Sequence, residues 1–213
     1  MVQNFTNNLD IILLTESWIS NESTDFLQIP SYTAFHTYRT HKKGGGLSLF
    51  VRSEYNTLQI PEYSFVNEFI EVNTVKICSQ NVELFVLGTY RPPQCNYEKF
   101  LEKLETILEN FKNKQVIISG DFNCDLLKIH EKAFAFNVFN SFLSFAFYPT
   151  ITRLYFILPS RLNTKNPKNS SLLDHTWTNI NGFLESNIIL SDISDHYPCL
   201  TVFKTSEPIK KLD

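Results

Sequence analysis

The sequence carries little net charge: its 213 residues hold 19 Lys and Arg against 22 Asp and Glu, a formal −3. No overall basic field announces a polyanionic partner. Cysteine is sparse. Cys78, Cys95, Cys124 and Cys199 are scattered with no Cys-x-x-Cys or Cys/His spacing, which argues against a zinc site. They read as reduced thiols of an intracellular protein. No apolar run approaches the roughly 20 residues that cross a bilayer, so no membrane partner is expected. No basic segment leads into an apolar run near Met1, and no signal peptide is read there. Repeats and low-complexity linkers are missing too, which points to one domain. A last absence is local. Between Lys132 and Leu173 there is no acidic residue, while Lys132, Arg153, Arg161, Lys165 and Lys168 are all basic. That stretch and a second basic group, His36, Arg39, His41, Lys42 and Lys43, are either solvated loops or surfaces that meet an anion.

What is present is a globular composition, 43% hydrophobic and 19% charged. Nineteen Phe and nine Tyr favour a substantial core with many β positions. Leu9–Thr15 is an apolar β run that ends at Glu16, and Leu47–Val51 reads as a strand after the turn Gly44-Gly45-Gly46. Phe69–Ile77 and Val82–Tyr90 read as a hairpin through Ser79-Gln80-Asn81. Arg91-Pro92-Pro93 ends its second strand, because proline cannot donate to a ladder. Tyr97–Lys112 shows a helical stripe of Tyr97, Phe100, Leu101, Leu104, Ile107, Leu108 and Phe111, with Asn96 as N-cap and Glu98 in the first turn. Val116–Ser119 is a buried strand, and Glu131–Phe147 a Phe-rich helix facing the core. Ser160–Ser170 reads as a polar surface loop, Leu172–Thr178 and Tyr197–Phe203 as late strands. Hairpins mixed with helical crossovers predict an α+β architecture, sheets inside and helices outside.

Polar groups recur where the β runs end: Glu16, Tyr90, Asp121 with Asn123, Asp174, and Asp195 with His196. Carboxylates such as Glu16 and Asp195 suit a hard divalent cation. Histidine suits proton transfer near neutral pH, and a carboxylate such as Asp174 behind it would fix its tautomer. Together these groups are the equipment for metal-assisted attack on a phosphodiester. Taken singly, each has a plainer reading. Glu16 is a helix start, Asp121 and Asn123 a turn, Asp174 a cap or a partner of Arg153, and Ser194-Asp195-His196 a strand entry. His175 and Trp177 read as packing residues, and His36, His41 and His130 as solvated.

The order of the pieces adds information that none has alone. An apolar strand runs into Thr15-Glu16-Ser17-Trp18. Then come Gly88-Thr89-Tyr90-Arg91-Pro92-Pro93, Gly120-Asp121-Phe122-Asn123, Ser171-Leu172-Leu173-Asp174-His175 and Ser194-Asp195-His196-Tyr197-Pro198. From about Leu9 to Phe203 this resembles the endonuclease/exonuclease/phosphatase superfamily. It is most similar to the apurinic-endonuclease-like domain of non-LTR retrotransposons, also through Lys42–Val51 and Pro149-Thr150-Ile151-Thr152-Arg153.

The resemblance implies a four-layer α/β/β/α sandwich of DNase I-like type over residues 1–205, followed by a tail, 206–213. It implies Mg²⁺, with Mn²⁺ as a substitute, held by Glu16 with Asp195 nearby. Tyr90 would contact the scissile phosphate, Asp121 would orient or activate water, and Asn123 would hold the phosphate or the nucleophile. His196, backed by Asp174, would be the base or the stabiliser of the transition state. The implied function is nicking of DNA in the nucleus, leaving a 3′-hydroxyl that primes reverse transcription by a downstream reverse transcriptase of the same polyprotein. One departure stands out. Leu9–Thr15 matches the second strand of the family, and Met1–Asn8 is too short and polar to supply the Asn-bearing first. The chain is therefore expected to be N-terminally truncated, with a weakened metal site. Two alternatives follow: an inactive relic that at most binds nucleic acid, and a phosphatase of the same superfamily.

Overall fold

Strand alternation builds the largest layer. In the computed structural model, residues 9–20, 26–41, 43–78, 83–151, 158–163, 165–166 and 169–203 are described. The larger sheet contains β4 (Asn56–Gln59), β5 (Phe65–Val66), β6 (Glu71–Cys78), β7 (Glu83–Tyr90), β8 (Gln115–Asp121), β9 (Tyr148–Pro149) and β10 (Asp174–Thr178). Its order is β4-β6-β7-β8-β10-β9, with β5 also on β6. The hairpin β6–β7 is antiparallel and places Glu71 opposite Tyr90. β7 and β8 are parallel, joined through helix α1 (Tyr97–Phe111), and place Tyr90 beside Asp121. β8 and β10 are antiparallel and place Asp121 beside Asp174.

The two faces of this sheet serve different cores. Val72, Phe85, Leu87, Val116, Ile118 and Trp177 face the helices α1 and α2 (Ala133–Ser144). Val75, Ile77, Leu84, Val86 and Ile117 face the second sheet, meeting Leu49, Val51 and the half-buried Ile11, Leu13 and Phe203. The second layer is β1 (Ile11–Thr15), β2 (Tyr32–Thr37) and β3 (Leu47–Arg52) in the order β1-β3-β2, plus the ribbon β11 (Phe183–Ile188) with β12 (Cys199–Phe203). The period-2 alternation thus divides one sheet's side chains between a helical layer and a second sheet, as an α+β sandwich requires.

The helices follow local rules. The Asn96 side chain accepts from Lys99 N at 3.0 Å, capping α1. Its stripe buries Phe100, Leu104, Ile107, Leu108 and Phe111, each contributing about 1.5–3 kcal/mol. Helix α2 is shorter than the sequence pattern suggests. Lys132 has extended backbone and provides no side-chain cap. Ala146, with φ +59°, ends the helix, and Phe147 N returns to Phe142 O at 3.0 Å. Phe142 stacks on Trp177 with centroids 4.1 Å apart, so the Phe-rich helix is core.

Several details differ from the sequence expectation. Strands β2, β4 and β11 were not foreseen because polar residues interrupt their alternation, and β5 and β9 because two residues are too few to show one. His36 is not solvated: it lies on β2, bonds through Nδ1 to Ser48 Oγ at 3.0 Å and meets Phe50 edge-on. Burial lowers its pKa. Ser160 opens a stretch read as surface loop, yet it is fully buried. The first-strand expectation concerns residues 1–8, which lie outside the described residues, as do the tail 206–213 and Arg153. No helix among the described residues is long and apolar enough to cross a membrane.

Candidate functional site

Sheet register does most of the assembly. Tyr90 ends β7, Asp121 ends β8, and Asp174 begins the antiparallel β10, so the three lie side by side at one edge of the layer. Gly120 makes the close approach possible. A Cβ there would sit 1.8 Å from Thr89 O, and its φ of +151° disfavours any other residue. Asn123 follows in the left-handed region at φ +45°. Its backbone N–H donates to Asp121 Oδ1 at 2.8 Å, and its Nδ2 donates to Arg91 O at 2.8 Å and Asp121 Oδ2 at 3.2 Å. The Gly-Asp-x-Asn turn is therefore both a turn and a bracket around a carboxylate. Arg91 closes it from below, donating through Nη1 to Asn123 O at 3.1 Å while its guanidinium lies 4.5 Å from the Phe134 ring centre.

His196 comes from the loop before β12. Its Nδ1 donates to Asp174 Oδ2 at 2.7 Å. Asp174 is itself set by Ser160, whose Oγ accepts from Leu173 N at 2.9 Å and Asp174 N at 3.1 Å. Asp121, Asp174 and His196 each offer an atom within 4.8 Å of the others. The hydrogen bond to Asp174 raises the His196 pKa, against the opposing effect of burial; the charges of Asp174, Asp121 and Asp195 add to the rise. Burial, followed by the Asp174 charge, lifts Asp121 to about 7, while the Asn123 N–H and His196 pull it down. His175, next in sequence to Asp174, is buried and stacks on Phe122 at 5.1 Å, and burial lowers its pKa to about 4. It is a packing residue, as its sequence context suggests.

Glu16 lies across from this group, just past β1, with φ +50°. Tyr90 donates its hydroxyl to Glu16 Oε1, and Trp18 donates through Nε1 to Glu16 Oε2 at 3.3 Å. Burial and this bond to a carboxylate raise the Tyr90 pKa. Among the described residues no Lys or Arg pairs with Glu16. Asp195 is placed differently. It is two-thirds exposed and pairs with Arg161, whose Nη2 lies 2.9 Å from Asp195 Oδ2. The bland readings of Glu16 as a helix start and of Ser194-Asp195-His196 as a strand entry therefore miss what the side chains do.

Sequence reasoning missed Ser160, Arg161 and the support given by Arg91. Ser160 and Arg161 act only through chain segments that meet in space: Arg161 bridges both Ser171 and His196. Arg91 carried a signal, since a buried arginine at a strand end needs a nearby acceptor.

The donor set suits a divalent cation. It consists of carboxylate oxygens and one imidazole, and the negative charges of Asp174 and Glu16 both push the Asp121 pKa up, a repulsion that a hard cation would relieve.

Residues 84–200 match the protein family described as "Endonuclease-reverse transcriptase". No curated protein matches the chain. Among solved structures, the endonuclease domain of TRAS1, a telomere-specific non-LTR retrotransposon, is similar with TM-score 0.74 and 15% identity, over 97% of this chain and 90% of that one. The 3′-5′ exonuclease NExo from Neisseria meningitidis has TM-score 0.71 and 16% identity, over 96% and 93%. The catalytic domain of Xenopus laevis APE2 has TM-score 0.69 and 16% identity, over 99% and 87%. These likenesses show the fold: an α+β sandwich of DNase I-like type.

Proposed function

The chain belongs to the Endonuclease-reverse transcriptase family, and from that premise we propose that it hydrolyses phosphodiester bonds with a divalent metal, nicking DNA for a non-LTR retrotransposon. The observation that carries the reading is the convergence of the Asp174–His196 pair, the bracketed Asp121 and the Tyr90–Glu16 pair at one sheet edge.

In this reading Asp121, with its pKa about 7, takes a proton from the attacking water. Asn123 keeps that carboxylate oriented, and holds the phosphate by giving up its longer Nδ2 bond to Asp121 Oδ2. Asp174 occupies His196 Nδ1, which leaves Nε2 for the substrate. The Asp174 carboxylate favours the protonated imidazole, and in that form His196 would stabilise charge growing on the phosphoryl oxygens. Tyr90 contributes a hydroxyl to the same phosphate. Glu16, with Asp195, would hold Mg²⁺ or Mn²⁺, which would supply positive charge to offset the negative charge growing on the leaving oxygen. Asp195 must first leave Arg161, but that pair is exposed and costs at most about 1 kcal/mol to break. Lys132, Arg161 and Lys165, the described basic residues of the acid-free stretch, would meet the DNA backbone in this reading. In an intact element the nicked 3′-hydroxyl serves a reverse transcriptase of the same polyprotein, within the nucleus.

A second reading is action at a 3′ end. Proteins of the same fold include NExo from Neisseria, a 3′-5′ exonuclease and 3′ phosphatase whose structure has been seen with a product DNA hairpin. Supercoiled plasmid separates the two, because it has no ends. The test is plasmid nicking by purified protein in Mg²⁺ and in EDTA, beside His196→Ala. Metal-dependent nicking that falls about 100-fold or more in the variant supports the endonuclease reading. Nicking that His196→Ala leaves unchanged removes the assigned site. No nicking, with release of phosphate from a 3′-phosphorylated hairpin, selects the second reading.

A further inference from the structure

Glu71 is a fully buried carboxylate that the proposed chemistry does not use. It stands opposite Tyr90 in the β6–β7 register. Its Oε1 accepts from Arg39 Nε at 2.6 Å, and its Oε2 accepts from the backbone N–H of Gly46 at 2.6 Å. The Arg39 guanidinium lies 6.0 Å from the centre of the Tyr90 ring. The turn this pair grips is unusual. Gly44, Gly45 and Gly46 all have positive φ. A Cβ on Gly45 would come within 2.5 Å of Glu71 Oε1 and 2.6 Å of the Arg39 guanidinium carbon.

The turn passes the constraint on. Gly46 O accepts from Ser17 N at 3.1 Å and Gly45 O accepts from Trp18 N at 2.9 Å. Those amides immediately follow Glu16, and both Glu16 and Trp18 sit in the left-handed region, at φ +50° and +54°. Two residues just past β1, separated only by Ser17, are thus held away from their relaxed backbone, which persists only where the surroundings over-determine it. A buried ion pair is a poor device for stability, since apolar replacements often do as well. It is a good device for fixing geometry here, because Nε and Nη2 of Arg39 both meet Oε1 while the Gly46 N–H takes Oε2, so each carboxylate oxygen is committed.

We propose that Glu71 and Arg39 are positioning residues: through the Gly44–Gly46 turn they set the Glu16 carboxylate and the Tyr90 hydroxyl in register for a divalent cation. The proposal rests on the functional reading above for the identity of Glu16 as metal-holding group. Its geometric half does not.

The experiment uses the full chain with Glu71→Gln, Gly45→Ala, Arg39→Ala and Arg39→Lys. Gly45→Ala keeps both charges and dislodges them sterically, which covers the case where Glu71→Gln fails to fold. Plasmid nicking is measured against Mg²⁺ concentration. The half-saturating Mg²⁺ rises about 10-fold or more, while the rate at saturating Mg²⁺ stays within about 3-fold. Arg39→Lys recovers part of what Arg39→Ala loses. A merely structural pair would lower the rate at every Mg²⁺ concentration and leave half-saturation in place; that result overturns the proposal.

A second readout is independent of turnover. Trp18 is 66% exposed and Trp177 is buried, so iodide quenching reports on Trp18. Released from Gly45 O, Trp18 is quenched more strongly in Glu71→Gln and Gly45→Ala than in the wild type. Folded variants with unchanged quenching sink the positioning role. If the wild type does not nick at any Mg²⁺ concentration, the nuclease reading fails by itself. The quenching series, with calorimetric Mn²⁺ titration, then decides whether the lock acts on Glu16.

Discussion

The Asp121–Asp174–His196 side of the site and the Glu16–Tyr90 side differ in what places them. The first is written into one sheet. Asp121 and Asp174 are register partners on neighbouring strands, and the one added element is a loop whose histidine reaches Asp174. The second spans two sheets. Glu16 follows β1 in the small sheet, Tyr90 ends β7 in the large one, and a glycine turn from before β3 ties them. Backbone pairing is cooperative and tolerates little slip, because a one-residue shift reverses every side chain. A turn held by a buried ion pair has no such ladder. The difference teaches that the acid–base half is rigid by construction, while the other half depends on side-chain contacts distant in sequence.

The sharpest way to break the first half is Asp174→Asn. Turnover falls about 100-fold or more, as for removal of an orienting carboxylate. The His196 pKa, followed by NMR, drops from its raised value toward the ordinary one. The sign for stability follows. A raised histidine pKa contributes stability that is full below the unfolded value and fades as pH rises through the folded one. The wild-type advantage over Asp174→Asn in denaturant melts is therefore largest near the acid side of neutrality and shrinks toward pH 9.

Gly120→Ala attacks the register itself. With Thr89 O at 1.8 Å from the new Cβ, β7 and β8 must separate at their ends. Stability falls by about 3 kcal/mol, and the Asp121 side loses more activity than metal affinity. Urea melts beside Mg²⁺ titrations of nicking measure both. The smallest effect belongs to Arg161→Ala. Its pair with Asp195 is exposed, so stability changes by less than about 1 kcal/mol. Freed of Arg161, Asp195 is available to a cation, and half-saturating Mg²⁺ decreases modestly. A rise instead would show that Arg161 holds the His196 loop, to which it is bridged.

The legible parts of the molecule were those with local signals. The stripe of α1 and its Asn96 cap lie within one helix, and the β6–β7 alternation within one hairpin. Strands such as β2 and β11 were not legible, because Thr, His, Glu, Asn and Ser interrupt their apolar residues on both faces. In the site, motif order named Glu16, Tyr90, Asp121, Asn123, Asp174, Asp195 and His196 as candidates. It backed His196 with Asp174 and placed Asp195 near Glu16, but gave no sign that Asp195 pairs outward with Arg161. Adjacent residues of a loop take opposite directions for reasons that lie in what surrounds them.

By itself the sequence determined the class of fold, the polar groups at strand ends, and the glycines without which two turns could not close. These are consequences of periodicity and backbone sterics, which act over a few residues. Only the tertiary structure decided that Asp195 turns to Arg161, that Ser160 sits beneath Asp174, and that Glu71 and Arg39 grip the turn behind Glu16. Those contacts join residues tens of positions apart, and nothing in the local chain chooses among the acceptors that folding brings within reach.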